Sequence, residues 1–337
     1  MKLSICIPTY NRAGMLLELL ESIVEQISGK HEDEVEIAIS DNCSTDDTSK
    51  RITEYKTKHK NIQIVYSINK ENIGPDRNYI RCVEIAHGDY AWIMGSDDKV
   101  NDDVLDIVLK QIDEGHSMYL SNRENYTFKF EKHLGTQYFF KKELADDCVI
   151  DLSSNQGWDY YFNLCEEIGG VCSYLSSFFF KREMFLGIKD YEPYIGSAYV
   201  HVYMVFKGLL SEVEPTIKIL NKSIVKCRLG NDSFFENGYQ RIMLDYEGYI
   251  KLSELFSDPL VNKDFLRILG KHSVSIETVL RLNKKQRDEL IKTLKIVGHD
   301  KQQIYLIERM SRHKLLAILL CIDKATSRIR QKTGALI

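Results

Sequence analysis

The amino-acid sequence predicts an α/β protein: a mostly parallel sheet flanked by helices, followed by a helical C-terminal region. Three observations predict it. Short apolar runs alternate with amphipathic helical repeats from Leu3 to Ile112. Clusters of Asn, Asp, Gly and Pro directly follow four of those runs. Beyond Asn231 the pattern turns helical, with little Gly or Pro. Strand–helix alternation at this pitch implies right-handed crossovers between parallel strands.

The elements follow in order. Leu3–Ile7 is a short apolar run stopped by Pro8, the mark of a buried strand. Leu16, Leu19, Leu20, Ile23, Val24 and Ile27 then recur at helical spacing. Val35–Ile39 is a second strand ending at Asp41-Asn42, and Ser44-Thr45-Asp46-Asp47 has the form of a helix start. Ile62–Tyr66 is a third strand. Asn72-Ile73-Gly74-Pro75 breaks the chain before a helix from Asp76 to about Ala86. Tyr90–Met94 is a fourth strand, closed by Gly95-Ser96-Asp97-Asp98, and a helix after Asn101 places Val104, Leu105, Val108, Leu109 and Ile112 on one face. Between Ser117 and Asp151 the texture becomes aromatic and strand-like, as in Tyr126–Phe130 and Tyr138–Phe140. Ser176–Lys181 and Ser223–Cys227 read as strands and His201–Lys207 as helix. The expected organisation is a domain over residues 1–230 and a helical region over 231–337.

Composition sets limits. Hydrophobic residues make up 44% and charged residues 28% of 337 positions, as in ordinary globular proteins. A net charge of -4 gives no reason to expect a nucleic-acid partner. The opening apolar run is too short for a signal peptide. Leu315–Ile322 falls far below the roughly 20 residues that span a bilayer. Eight cysteines without a C-x-x-C pair fit buried free thiols in a reducing cytoplasm. From Arg309 onward seven Lys/Arg face one acid, Asp323. An amphipathic helix lying on an anionic membrane through residues 309–337 is one reading of that segment. Packing of Leu315, Leu316, Ile318 and Leu319 on the main body is the other.

Ligands bind beyond the carboxyl ends of strands in open parallel sheets. Pro8-Thr9-Tyr10-Asn11-Arg12, Asp41-Asn42, Asn72-Ile73-Gly74-Pro75 and Ser96-Asp97-Asp98 all fall at that edge. A single such cluster is an ordinary turn, whereas four in register form a candidate crevice. A nucleotide diphosphate needs countercharge there, and adjacent carboxylates can hold a hard divalent cation bridging its phosphates. Asp97-Asp98 fits that need, although an Asp-Asp pair also opens many plain loops. Asp41 suits a base or ribose contact, or an Asx-turn. Arg77 faces a phosphate or solvates its helix.

The segment Ser4–Arg12 resembles the opening strand and loop of family 2 glycosyltransferases, whose fold is called GT-A, a Rossmann-like arrangement. Ser40–Thr48 is similar to their second strand and loop, and Asn72-Ile73-Gly74 with Arg77-Asn78 to their third motif. Gly88-Asp89-Tyr90 followed by Trp92–Asp98 resembles the strand ending in the family's D-x-D element. Within the family, Asn72–Tyr79 and Tyr199–Tyr203 look most like abequosyltransferase-type enzymes of O-antigen assembly.

The resemblance implies transfer of a hexose or deoxyhexose from a nucleotide-sugar donor to a saccharide or lipid-linked saccharide acceptor. The setting it implies is cytoplasmic, or peripheral on the inner face of the cell membrane. It makes Pro8, Thr9, Tyr10, Asn11 and Arg12 donor contacts, with Asp41 and Asn42 near the base. Asn72, Gly74 and Arg77 approach the donor, Ser96 and Asp97 lie near ribose, and Asp98 with Asp97 holds Mg2+ or Mn2+. Ser96 stands where the first acid of D-x-D usually is. Val200-His201 stands where inverting members carry the acidic pair that supplies the base. Imidazole titrates near 6.5 and can serve as a general base, so His201 is the candidate. Its other readings are a metal ligand or a packed side chain, and Asp190 and Glu192 are the reserve bases. Arg228 and Asn231 are candidates for phosphate or acceptor hydroxyls, or an ordinary turn.

Two other activities remain in view. A sugar nucleotidyltransferase would open with a Gly-rich basic loop, which Pro8–Ala13 lacks. A non-catalytic relative or scaffold that only binds a nucleotide sugar is kept open by Ser96 and Val200. Glycoside hydrolysis lacks a pair of facing carboxylates.

Overall fold

In the computed structural model, which describes residues 1–142, 144, 147–231, 238–271 and 274–310, the first apolar run becomes strand β1 (Leu3–Thr9). It is buried along its whole length because it pairs on both sides. Helix α1 (Ala13–Ile27) buries the six apolar residues whose spacing predicts it. There follow β2 (Val35–Asp41), α2 (Thr48–Lys58), β3 (Gln63–Ile68), α3 (Pro75–Glu84) and β4 (Tyr90–Ile93). The expected helix start at Ser44 shifts to Thr48, because Ser44 and Asp46 are drawn into the neighbouring loop and Asp46 accepts from the Thr48 N–H. A two-residue β5 (Lys99–Val100) precedes α4 (Val104–Ile112), which buries all five predicted positions.

The aromatic middle of the chain resolves into β6 (Met118–Ser121), β7 (Arg123–Tyr126), β8 (His133–Gln137) and β9 (Cys148–Asp151). The two expected aromatic strands lie elsewhere. Residues 127–130 form a turn closed by the Phe130 N–H on the Thr127 carbonyl at 2.8 Å, and Phe140 keeps a single bridge to Cys165. Then come α5 (Asn155–Leu164), β10 (Phe178–Lys181), α6 (Arg182–Leu186), α7 (Val200–Ser211), β11 (Thr216–Leu220) and β12 (Val225–Arg228). The chain continues as α8 (Gly238–Ser253), α9 (Pro259–Gly270), α10 (Ile276–Arg281), α11 (Lys284–Ile296) and α12 (Lys301–Met310).

Eight strands form one sheet in the order β3-β2-β1-β4-β10-β6-β11-β9. Most are parallel, but β10 runs against both neighbours and β9 against β11. The reversal of β10 matters for function. It brings the amino end of β10, with Ser176 just before it, to the edge where β1, β2, β3, β4 and β6 end. A second sheet, β5-β12-β7-β8, lies beside that edge.

Apolar packing fixes the layers. One core lies under α1 and α4, and a larger one spans α3, α5, α7 and the C-terminal helices. Phe162, Phe206, Phe256 and Phe265 meet there edge to face, so side chains from before and after residue 230 share one interior. The Tyr249 hydroxyl donates to the Val171 carbonyl at 2.8 Å, and Gly248 lets the Tyr199 ring lie against the α8 backbone. No described helix is long and apolar enough to cross a membrane. Most of the basic segment 309–337 lies outside the described residues. The seven described cysteines are free thiols, and Cys321 is not among them.

The opposite edge of the sheet is held by one buried acid. Glu36 accepts from the Ser4 hydroxyl and the His87 N–H, while the Gly88 N–H donates to the Ser4 hydroxyl at 2.7 Å. A Cβ at Gly88 would lie 2.7 Å from the Ser4 nitrogen and 2.8 Å from the Leu3 carbonyl carbon, both backbone atoms. Gly88→Ala is therefore expected to cost about 1–3 kcal/mol, read as a lower urea midpoint. An unchanged midpoint would contradict this close approach.

Candidate active site

The loops at the carboxyl edge are stitched by short amide and carboxylate side chains. Asn11 takes a positive φ of 52° after β1, a conformation Asn tolerates better than most residues. Its side-chain oxygen accepts from the Thr45 N–H at 2.7 Å, and its own N–H donates to the Ser44 hydroxyl at 2.9 Å. Asn42 bonds Asn72 at 2.8 Å and the Ile73 N–H at 2.9 Å, joining the loops after β2 and β3. Gly74, at φ 81°, turns the chain into α3 with Pro75 in the first helical position.

These loops wall an open cleft of about 760 Å³, within the usual range for small-molecule sites. Of the sequence-derived site residues, Pro8 to Arg12, Asn42, Asn72, Ser96 to Asp98, His201, Arg228 and Asn231 line it. Asp41, Gly74, Arg77, Asp190 and Glu192 do not. The Asp41 carboxylate is buried and satisfied by the Ser44 N–H at 2.8 Å and the Tyr66 hydroxyl at 2.7 Å, which makes it a loop anchor. Arg77 and Glu192 grip each other in a two-bond pair at 2.8 and 2.7 Å on the protein surface. Asp190 is exposed beside Tyr203.

Asp97 and Asp98 lie at the cleft floor in the loop that follows β4. Asp98 is 3% exposed, and its carboxylate accepts from the Ser176 hydroxyl at 2.6 Å. Burial, and then the neighbouring Asp97 charge, push its carboxyl up to about 7, against the pull of Ser176. Asp97 faces the Arg12 guanidinium at 3.2 Å and accepts from the Asn231 amide. The two carboxylates fold back over Gly95. A Cβ on that glycine would lie 3.0 Å from an Asp97 oxygen and 3.1 Å from an Asp98 oxygen.

Arg228 is not a free phosphate ligand. Its guanidinium donates to the Asp97 and Phe128 carbonyls and pairs with Glu18 at 2.9 Å, over the Phe130 ring. It clamps the loop after β12 to the acidic pair, and β7–β8 to both.

His201 opens α7 at the cleft wall, 2% exposed. Its Nε2 meets the Cys172 carbonyl at 3.3 Å, which assigns the proton to that nitrogen and leaves Nδ1 as an acceptor with no hydrogen-bond partner. Burial pulls the imidazole down to about 4, so it is neutral at physiological pH. Asp76 sets the approach. Its buried carboxylate accepts from the Gly196 and Ala198 N–H groups at 2.6 and 3.2 Å, pinning the turn that leads into α7. One turn along α3, Tyr79 meets the imidazole edge-on at 5.5 Å.

Comparison with known proteins decides the family. Residues 4–167 match the profile described as glycosyl transferase family 2. The chain is 33% identical over 319 residues to the abequosyltransferase RfbV of Salmonella typhimurium, an alignment covering 93% of this chain and 94% of that one. It belongs to glycosyltransferase family 2. The Staphylococcus aureus poly(ribitol-phosphate) beta-N-acetylglucosaminyltransferase TarS is 33% identical over 117 residues, 35% of this chain and 20% of that one. A solved TarS structure in complex with UDP superposes with a TM-score of 0.62 at 18% identity, covering 92% of this chain and 87% of that chain. A mannosyltransferase from Pyrobaculum calidifontis, solved with GDP-Man and Mn2+, gives 0.54 at 14% identity, covering 97% and 80%. These neighbours share the GT-A fold.

In this family 2 glycosyltransferase, sequence reasoning missed Ser176, Asp76 and Glu18. Each lies far in the chain from the group it serves, and none carries a local signal. The all-oxygen donor set of Asp97 and Asp98 over Gly95 fits a hard divalent cation, and an Asp98 with no cationic side-chain partner among the described residues is the kind of group such an ion would satisfy. Among the described residues no cluster of three metal-binding side chains occurs, so phosphate oxygens or water would complete the shell.

The raised Asp98 fixes a pH dependence. Because its folded pKa exceeds the unfolded one, its contribution to stability falls as pH rises from about 4 to 7 and is fully lost above 7. Without metal, Asp98→Asn is expected to melt higher than wild type at pH 8 and to lose that advantage near pH 4. Mn2+ at pH 8 should raise the wild-type midpoint and leave the variant unmoved. A variant that melts lower than wild type in metal-free buffer at pH 8 would contradict the assignment.

Proposed function

We propose that this glycosyltransferase moves a hexose or deoxyhexose from a nucleoside-diphosphate sugar to a saccharide acceptor, with inversion, during assembly of a surface polysaccharide. The observation that carries the reading is the acidic pair. Among the described residues, Asp97 and Asp98 are the only carboxylates lining the cleft, and they follow β4 beside the loops expected to hold the nucleotide. The abequosyltransferase relative, aligned over nearly the whole chain, supports a deoxyhexose such as abequose and an O-antigen-like product. A relative named for an undecaprenol diphosphate-linked acceptor supports a lipid-linked substrate, and with it work on the inner face of the cell membrane. In that arrangement residues 1–230 carry the chemistry, Asn231, Arg241 and Leu244 add to the cleft wall, and the basic segment 309–337 meets the membrane.

The chain's own groups divide the work. Tyr10, 43% exposed at the rim, offers a ring for the base to lie on. Asn11 and Asn72 offer amide N–H groups to the nucleoside, while the Asn42 amide is engaged in joining their loops. Asp98, helped by Asp97, would hold Mg2+ or Mn2+, which would supply positive charge to the departing diphosphate. Arg12 sits beside Asp97 with its charge toward the same place.

The base follows by position. With no third carboxylate lining the cleft among the described residues, the Nδ1 of His201, which has no hydrogen-bond partner among them, takes the proton of the acceptor hydroxyl. The freed oxygen pair attacks the anomeric carbon from the face opposite the diphosphate. The sugar–phosphate C–O bond breaks, and its electrons leave with the nucleoside diphosphate. Burial keeps the imidazole neutral but also weakens it as a base, so the role depends on the negative charge of bound substrate raising its basicity.

Two measurements test this reading. Thermal scans against UDP, GDP, CDP and dTDP with Mn2+ are expected to show one nucleotide raising the midpoint by several degrees, with the shift falling sharply when metal is omitted. No shift with any nucleotide would remove the donor assignment. For the base, His201→Ala should slow single-turnover transfer by about 100-fold or more while leaving nucleotide affinity intact. Unchanged transfer would end the role of His201.

A further inference from the structure

Among the described residues, one arginine lining the cleft has no carboxylate partner. Four arginines line that cleft. Arg12 faces Asp97, Arg228 faces Glu18, and Arg241 faces Asp245. Arg123, at the start of β7, has no carboxylate partner among the described residues. Its Nε donates to the Gln137 side-chain oxygen at 3.0 Å, and its guanidinium carbon lies 4.3 Å above the centre of the Tyr174 ring. Gln137 is itself oriented, because its amide nitrogen is engaged by Glu167 and its oxygen is left for Arg123. Among the described residues the two terminal nitrogens of Arg123 have no hydrogen-bond partner. The guanidinium is therefore fixed in plane and direction by Gln137 and Tyr174.

The order of strands says which part of a substrate would reach it. Along the edge, the loops after β3, β2 and β1 come first and the acidic pair after β4 next. Ser176 before β10 follows, and then Arg123 just beyond β6. Two strand spacings, roughly 10 Å, separate the ends of β4 and β6. A donor with its nucleoside over the first loops and its diphosphate at Asp98 places the transferred sugar next in line and the acceptor beyond it. Tyr174 marks that continuity: it lines the cleft beside Ser176, whose hydroxyl meets Asp98, and its ring lies under the Arg123 guanidinium.

We propose that Arg123 docks an acid group, carboxylate or phosphate, carried by the acceptor saccharide close to its reacting hydroxyl. A planar guanidinium fork matches two oxygens of either acid. A half-buried site strengthens the pair over one in open water. The assignment rests on the glycosyltransferase reading above and adds the chemical class of acceptor.

Calorimetry with the full chain tests it. Wild type and Arg123→Gln are first titrated with the nucleoside diphosphate that stabilises the protein most, in Mg2+. The affinities should agree within twofold. Each saturated protein is then titrated with inorganic phosphate, which should bind wild type at least tenfold more tightly. Glucuronate against glucose, and glycerol phosphate against glycerol, should show at least one acid preferred over its neutral counterpart, a preference lost in the variant. A tenfold loss of nucleotide affinity in the variant would place Arg123 on the donor diphosphate and overturn the proposal. So would equal phosphate binding, or an acid preference seen only when the acid sits on the nucleotide sugar. Should Arg123→Gln fail to fold, Arg123→Lys keeps the charge without the fork, and phosphate should bind it at least threefold more weakly. Failure of wild type to bind any nucleoside diphosphate would instead sink the donor reading and is seen in the first titration.

Discussion

Two like charges held side by side just after β4 shape everything around them. Asp97 and Asp98 converge over Gly95 in a site where Asp98 is almost fully enclosed. An arrangement of this kind is unfavourable until a cation arrives. The surrounding structure is organised to keep it in place regardless. Ser176 reaches Asp98 only because β10 runs antiparallel between β4 and β6. Arg228 reaches the Asp97 carbonyl only because β12 joins a second sheet beside the cleft. Arg12 and Asn231, far apart in the chain, both hold the Asp97 side chain.

The other wall is set by α3. Asp76 in its first turn fixes the turn at 196–198, Asn78 ties it back to Ser40 at 3.0 Å, and Tyr79 braces His201. One helix start thus controls both a nucleotide-side loop and the entry to α7. Two of the six described non-glycine residues with positive φ line the cleft: Asn11 at φ 52° and Ala198 at φ 64°. Each is overdetermined by the bonds around it, as strain at functional sites generally is.

Much of this was legible in the sequence because the first half of the chain obeys local rules. Periodicity located α1 and α4 residue by residue, and the break at Pro8 and the cluster at Gly95–Asp98 located the edge. What could not be read is non-local. No pattern in Phe178–Lys181 says that β10 runs backwards, and nothing near Ser176 points to Asp98, 78 positions away. Arg77 and Asp41 suited the donor by type, yet Glu192 and Tyr66 claim them in the folded chain. Arg228 was read as a ligand or a turn and proved to be a clamp, a distinction that depends on Glu18, 210 positions earlier. The aromatic strands after Ser117 slipped because a turn at 127–130 and a buried Phe139 interrupt the alternation.

The central claim is that the acidic pair and the loops after the first three strands form one diphosphate site. A crystal structure with nucleoside diphosphate and Mn2+, with the metal located by anomalous scattering, tests it most directly. The account predicts a metal peak about 2.2 Å from an Asp98 oxygen, with the diphosphate above Gly95 and the base beside Tyr10. A metal peak remote from Asp97 and Asp98, or a nucleotide bound outside the cleft, would contradict it.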